Sequence, residues 1–97
     1  VLIEGNYIYS VGQHILSDQG GIYMLGLQPG TVISGNVIKN VYSYTIYSWG
    51  IYLDEGSSGI IVSNNVVYNT AWAGLFQHYG ANNTIINNVF ARASLKP

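Results

Sequence analysis

The chain has 97 residues, three basic and four acidic side chains, a formal net charge of −1 and no cysteine. Three cations along this length cannot form a phosphate-binding track, so nucleic acid is not expected as a partner. The absence of cysteine rules out disulfides and thiolate metal sites, and no apolar run approaches the ~20 residues of a membrane-spanning helix, so no membrane partner is expected either.

The chain begins on a short apolar run ending at Asn, Leu2-Ile3-Glu4-Gly5-Asn6. A Gly-led run, Gly21-Ile22-Tyr23-Met24, comes next, and a second Asn-ended run, Val32-Ile33-Ser34-Gly35-Asn36, follows it. The two types then alternate: Gly50-Ile51-Tyr52-Leu53, Ile61-Val62-Ser63-Asn64-Asn65, Gly74-Leu75-Phe76-Gln77 and Ile85-Ile86-Asn87-Asn88. From each Gly to the next Asn is 15, 15 and 14 residues, whereas from each Asn to the next Gly is 15, 14 and 9. One segment is nearly constant and the other varies, as in a stacked coil with one turn free to grow into a loop.

Each run is too short for a helix, rich in Val, Ile and Tyr, and apolar with period two, which predicts strands. A third short apolar run follows each Asn: Val37-Ile38, Val66-Val67 and Val89-Phe90. One coil therefore reads strand, Gly-rich turn, strand, Asn turn, strand, variable loop. The predicted fold is all-β, a right-handed single-stranded parallel β-helix of about three to four coils. Residues 1–97 form a single segment, expected to belong to a larger β-helix domain, because the chain opens on Val1 and stops at Leu95-Lys96-Pro97. A β-helix this short is expected to self-associate through its open ends. No helical period separates the strands, which argues against an α/β fold. A β-sandwich is the structural alternative, but it would not repeat residue types coil after coil.

Asn6, Asn36, Asn65 and Asn88 fall at one place in successive coils. Asn tolerates the left-handed backbone of a tight bend, and stacked side-chain amides can hydrogen-bond along the ladder. Alternation along the Gly-led strand turns Tyr23, Tyr52 and Phe76 outward, and Leu25, Asp54 and His78 with them. Asp54 and His78 are then ladder neighbours. The variable loop just before this strand contributes His14 and Asp18, then Trp49, then Trp72. Loops carried on a rigid sheet are where sites are usually built.

Each candidate has a plainer reading. The Tyr/Tyr/Phe row reads equally as cross-strand packing. Asp54 and Glu55 precede Gly56-Ser57-Ser58-Gly59 and can serve as turn residues; Asp18 can be a loop residue, and His78 and His14 surface residues. No metal-specific spacing is present among Asp54, His78 and Asp18, so no metal and no cofactor are assigned.

The runs Leu16-Ser17-Asp18-Gln19-Gly20-Gly21-Ile22-Tyr23, Gln28-Pro29-Gly30-Thr31, Trp49 through Ser58, and Gln77-His78-Tyr79-Gly80 with Asn87-Asn88 resemble bacterial right-handed β-helix repeat proteins. They look most like large secreted ones related to β-helix glycoside hydrolases, a group that includes α-fucosidase and xylanase activities. The resemblance covers essentially the whole chain; the Gly-Ile-Tyr and Asn-Asn repeats are weakly specific for it, and the Asp18, Asp54-Glu55 and His78 contexts more so. It implies a secreted, cell-surface or periplasmic bacterial protein acting on a polysaccharide or oligosaccharide. Hydrolysis would use two carboxyl groups, Asp18 and Asp54 with Glu55 as substitute. His78 would hold the ionisation state of Asp54 or bond a sugar hydroxyl, and Tyr23, Tyr52 and Trp49 would offer stacking faces, with Phe76 and His14 as further sugar contacts. The competing classes are a polysaccharide lyase and a non-catalytic carbohydrate-binding or structural β-helix. A lyase needs a basic residue at the site, and neither Lys39 nor Arg92 falls on the candidate face.

Overall fold

The computed structural model describes residues 1–13, 18–42 and 47–92. Eleven strands follow one another with no helix among the described residues. They are β1 (Leu2–Glu4), β2 (Tyr7–Val11), β3 (Gln19–Leu27), β4 (Val32–Ser34), β5 (Val37–Val41), β6 (Ser48–Ser58), β7 (Ile61–Ser63), β8 (Val66–Thr70), β9 (Ala73–Gln77), β10 (Thr84–Ile86) and β11 (Val89–Ala91).

Three sheets result. The first has the order β1-β4-β7-β10, the second β2-β5-β8-β11 and the third β3-β6-β9. Every pairing is parallel and joins equivalent strands of successive coils. Each coil thus lays one strand on each sheet, which is the β-helix that the repeat predicts.

The core is built from rows. Ile3, Ile33 and Val62 align on the first sheet, and Ile8, Ile38, Val67 and Phe90 on the second. Ile22, Ile51 and Leu75 align on the third, beside Met24 and Leu53. Ile33, Ile38, Ile51, Leu53, Val62 and Val67 are completely buried. Branched side chains stack on their own kind one coil away, and each buried one contributes about 1.5–3 kcal/mol.

The Asn ladder runs through the turn between the first and second sheets. Asn6 donates from its amide side chain to Oδ1 of Asn36 at 3.0 Å, Asn36 to Asn65 at 3.0 Å, and Asn65 to Asn88 at 2.9 Å. The backbone N–H groups of Asn6, Asn36 and Asn65 donate to the same oxygens. The side chains of Asn36, Asn65 and Asn88 also reach the carbonyls of Ile3, Ile33 and Val62. Asn36 and Asn65 are buried, so these bonds satisfy groups that would otherwise carry a full desolvation cost.

The left-handed bend is not at the ladder Asn, where the sequence reading put it. It falls on the residue before: Gly5 (φ 68°), Gly35 (φ 68°), Asn64 (φ 57°) and Asn87 (φ 57°). That residue makes the turn and leaves the following Asn free to point its amide inward.

Candidate functional site

The third sheet does not alternate strictly. Ile22 pairs with Ile51 and Gly20 with Trp49, while Gly21 and Gly50 between them are skipped. A Cβ on Gly21 would lie 2.6 Å from Ile38, one on Gly50 2.1 Å from Val67, and one on Gly74 2.6 Å from Phe90. Glycine is required in this row because the backbone turns toward the core and meets the second sheet there. Two consecutive residues, Gly50 and Ile51, therefore face inward. Trp49 and Tyr52 emerge together on the outer face, although they are three residues apart.

Trp49 lies within β6, not in the loop where the sequence reading placed it. Its ring stacks on Phe76 (centroids 4.6 Å apart) and on Trp72 (6.0 Å), and it leans on Tyr52 (4.5 Å). Tyr23 meets Tyr52 edge-on at 5.1 Å. Rings one coil apart cover one another. Trp49 and Tyr52 are consequently only 5% and 4% exposed. They point outward, but neighbouring rings cover nearly all of their surface. Tyr23 remains exposed, and Phe76 and Trp72 are half-buried.

The register brings the predicted polar row together. Leu25 pairs with Asp54, and His78, just beyond β9, extends the ladder by donating its backbone N–H to Leu53 at 2.8 Å. Nδ1 of His78 lies 2.9 Å from Oδ1 of Asp54. The Tyr23 hydroxyl donates to the other Asp54 oxygen, and the Glu55 N–H donates to Oδ1 at 2.8 Å. These donors, Tyr23 foremost, hold the Asp54 carboxyl down at about 2 against the opposing effect of burial. The Tyr23 phenol is pushed up to about 12 by the same bond to Asp54. Asp54 is therefore an anion with most of its acceptor capacity taken.

A bulge sets the position of Asp54. Leu25 pairs with Asp54 and Leu27 with Ser58, so Gly26 on β3 stands opposite Glu55, Gly56 and Ser57 on β6. Gly56 takes a φ of 74°, and the buried Ser57 hydroxyl bonds the carbonyls of Asp54 at 2.7 Å and Met24 at 3.2 Å, pinning the bulge from within. Bulges of this kind re-aim side chains. Here Glu55 is thrown outward and is exposed.

Asp18 enters from the loop side. It takes a φ of 55° and donates its backbone N–H to the Tyr47 carbonyl at 2.6 Å. Its carboxylate accepts a hydrogen bond from the Tyr52 hydroxyl at 3.1 Å. The Tyr52 phenol is pushed far up by burial first, then by the bond to Asp18 and the charges of Asp18 and Asp54. It links the two acids into one network: Asp18, Tyr52, Asp54, then Tyr23 and His78.

A hollow of about 460 Å³ opens beside this network, with Asp18, Tyr47, Trp49, Trp72, Phe76 and His78 among its lining residues. Asp18 and His78 stand on its wall, and Asp54 lies behind His78. Trp72, which the sequence placed in the variable loop, and Tyr47, which it did not single out, both belong to it. The signal for both was their position in the variable link just before the Gly-led strand. His14 lies outside the described residues. Asp54, Glu55 and His78 each offer a ligand atom within 4.8 Å of the others, the one grouping among the described residues that could hold a cation. Lys39 on β5 and Arg92 beyond β11 belong to the second sheet, away from the hollow.

A family model described as right handed beta helix region matches residues 1–94. No curated protein and no solved structure matches the chain.

Proposed function

The chain belongs to the right-handed β-helix family, and from that premise we propose that its third sheet binds and hydrolyses a carbohydrate chain, in a protein that works outside the bacterial cytoplasm. The observation that carries this reading is the hollow of Trp72, Phe76 and Tyr47 rings with one carboxylate, Asp18, and one imidazole, His78, on its wall. A pyranose ring presents an apolar face of C–H groups to an aromatic ring and hydroxyls to its edge, and this hollow supplies both kinds of partner.

The chemistry follows from what each group can carry. Asp54 holds no proton near neutrality, because its carboxyl sits at about 2, so it is a poor acid for a leaving group. It instead orients His78 by accepting from Nδ1. The proton for the leaving glycosidic oxygen then comes from Nε2 of His78. Asp18 attacks the anomeric carbon, or takes a proton from the water that does. The C–O bond breaks, the departing sugar leaves with the His78 proton, and water supplies the new hydroxyl. Asp18 thus keeps its expected part as one of the two carboxyl groups, whereas the proton donor is His78 in place of Asp54.

The occupied state of Asp54 also favours a second reading, a binding surface without turnover, since its oxygens are already engaged by Tyr23, His78 and Glu55. Release of reducing ends from a panel of neutral glycans, with Asp18→Asn and His78→Gln alongside, separates the two. Hydrolysis lost in both variants supports the enzyme. Binding with no turnover in the unaltered protein supports the second reading.

A further inference from the structure

The second sheet carries another exposed aromatic face, on strands that take no part in the hollow. Tyr7 and Tyr9 both point outward from β2, flanking the inward Ile8, and are 56% and 57% exposed. The register continues Tyr9 into Lys39 on β5 and Tyr68 on β8. Three consecutive coils thus present Tyr, Lys and Tyr in one line along the helix axis, at roughly 4.8 Å per coil.

Lys39 is the feature that gives this face a sign. Its ammonium lies 5.2 Å from the centre of the Tyr7 ring and 6.0 Å from that of Tyr9, and the two rings are 5.0 Å apart. Hydrogen bonding to Tyr7, chiefly, favours the charged form of Lys39 against the opposing effect of burial. The ammonium thus lies against the Tyr7 and Tyr9 phenols, and it has no carboxylate partner among the described residues. The rest of the outer face beside it is apolar or neutral: Val37, Val66 and Val89 form the adjoining row.

We propose that the Tyr9–Lys39–Tyr68 line is a second carbohydrate-binding strip, separate from the hollow, which takes an anionic glycan lying along the helix axis. Alternate sugar rings rest on Tyr9 and Tyr68, and a carboxylate or sulfate on the ring between them meets Lys39. An extended sugar chain repeats on a scale close to one coil, so successive rings fall in step with successive strands. Aromatic faces supply the contact area at low entropic cost, and the fixed cation selects the charge. The hollow carries Asp18 and lacks Lys and Arg among its described lining residues, so it disfavours the same ligand.

Calorimetric titration with a galacturonate hexamer, a sulfated heparin hexasaccharide and the neutral cellohexaose tests this strip. The two anionic probes distinguish a carboxylate from a sulfate ligand. At least one is expected to bind, to lose about tenfold in affinity in Lys39→Gln and in Tyr68→Ala, and to weaken at high salt. Trp72→Ala, in the hollow, is expected to leave this binding unchanged. Both side chains reach the surface, so circular dichroism is expected to report an unaltered fold. Three results would overturn the proposal: no binding of either anionic probe at millimolar concentration, equal binding of cellohexaose that persists in Trp72→Ala and is lost in Tyr68→Ala, or equal binding of the anionic probes by Lys39→Gln. Concentration-dependent dimerisation abolished by Lys39→Gln, with no glycan bound, would assign the face to a second copy of the chain and also overturn it.

Discussion

The His78 imidazole sits 2.9 Å from the Asp54 carboxylate across one coil of the helix, and Tyr23 approaches the same carboxylate from the coil on the other side. Three successive coils therefore converge on one acid.

That convergence predicts an acid limb in stability. The Asp54 carboxyl titrates at about 2 in the folded chain against an ordinary value of 3.8. A carboxyl lowered by folding contributes stability that is fully present above the ordinary value and is lost as pH falls through the folded one. Unfolding followed between pH 5 and pH 2 is expected to show stability declining from about 4 downward, and Asp54→Asn is expected to flatten that decline. An unchanged slope in Asp54→Asn would contradict the network.

Removing single donors should move the carboxyl itself. Tyr23→Phe takes away the largest stabilising bond and His78→Ala a smaller one. Carbon-13 shifts of the Asp54 carboxyl, followed against pH, are expected to show its titration rising in both variants, further in Tyr23→Phe. The reverse order would mean that His78 is the main partner.

The aromatic cluster divides into packing and contact. Trp49 is buried between Phe76 and Trp72, so Trp49→Ala is expected to cost about 3–5 kcal/mol of stability. Trp72 is half-buried at the rim, and its truncation is expected to cost much less. Denaturant titration of the two variants checks this, and equal losses would place Trp72 in the core.

Asn36 donates to Asn65 and accepts from both nitrogens of Asn6. Asn36→Leu deletes those bonds and leaves buried donors and acceptors unpaired, at about 1–3 kcal/mol for each orphaned group. Asn6→Leu, in the exposed first coil, is expected to cost distinctly less. Equal midpoints for the two would deny the ladder an energetic role.

Much of this was readable from sequence because the repeat has a fixed register. Once the Gly-led and Asn-ended runs are aligned, the pairing of Tyr23 with Tyr52 and of Asp54 beside His78 follows from position alone. What alignment misses is where the backbone departs from period two. The inward turn at Gly50 carries Trp49 onto the same face as Tyr52, and the bulge after Asp54 leaves Glu55 exposed beside it. Nor does position reveal coverage: Tyr52 points outward as expected yet is buried, because rings of its own strand and of the two neighbouring coils pack on it. The left-handed bend is hard to place for a related reason: the ladder Asn suits it as well as the residue before, and only the inward amide shows that Gly5, Gly35, Asn64 and Asn87 make the bend.

The most direct test of the central claim is titration of neutral oligosaccharides into the protein while tryptophan fluorescence and heat are recorded together, with Trp72→Ala in parallel. The hollow as sugar site predicts that a neutral oligosaccharide binds, perturbs the indole emission, and loses about tenfold in affinity in Trp72→Ala. Binding that leaves the emission unchanged and is equally tight in Trp72→Ala would place the sugar elsewhere and contradict the account.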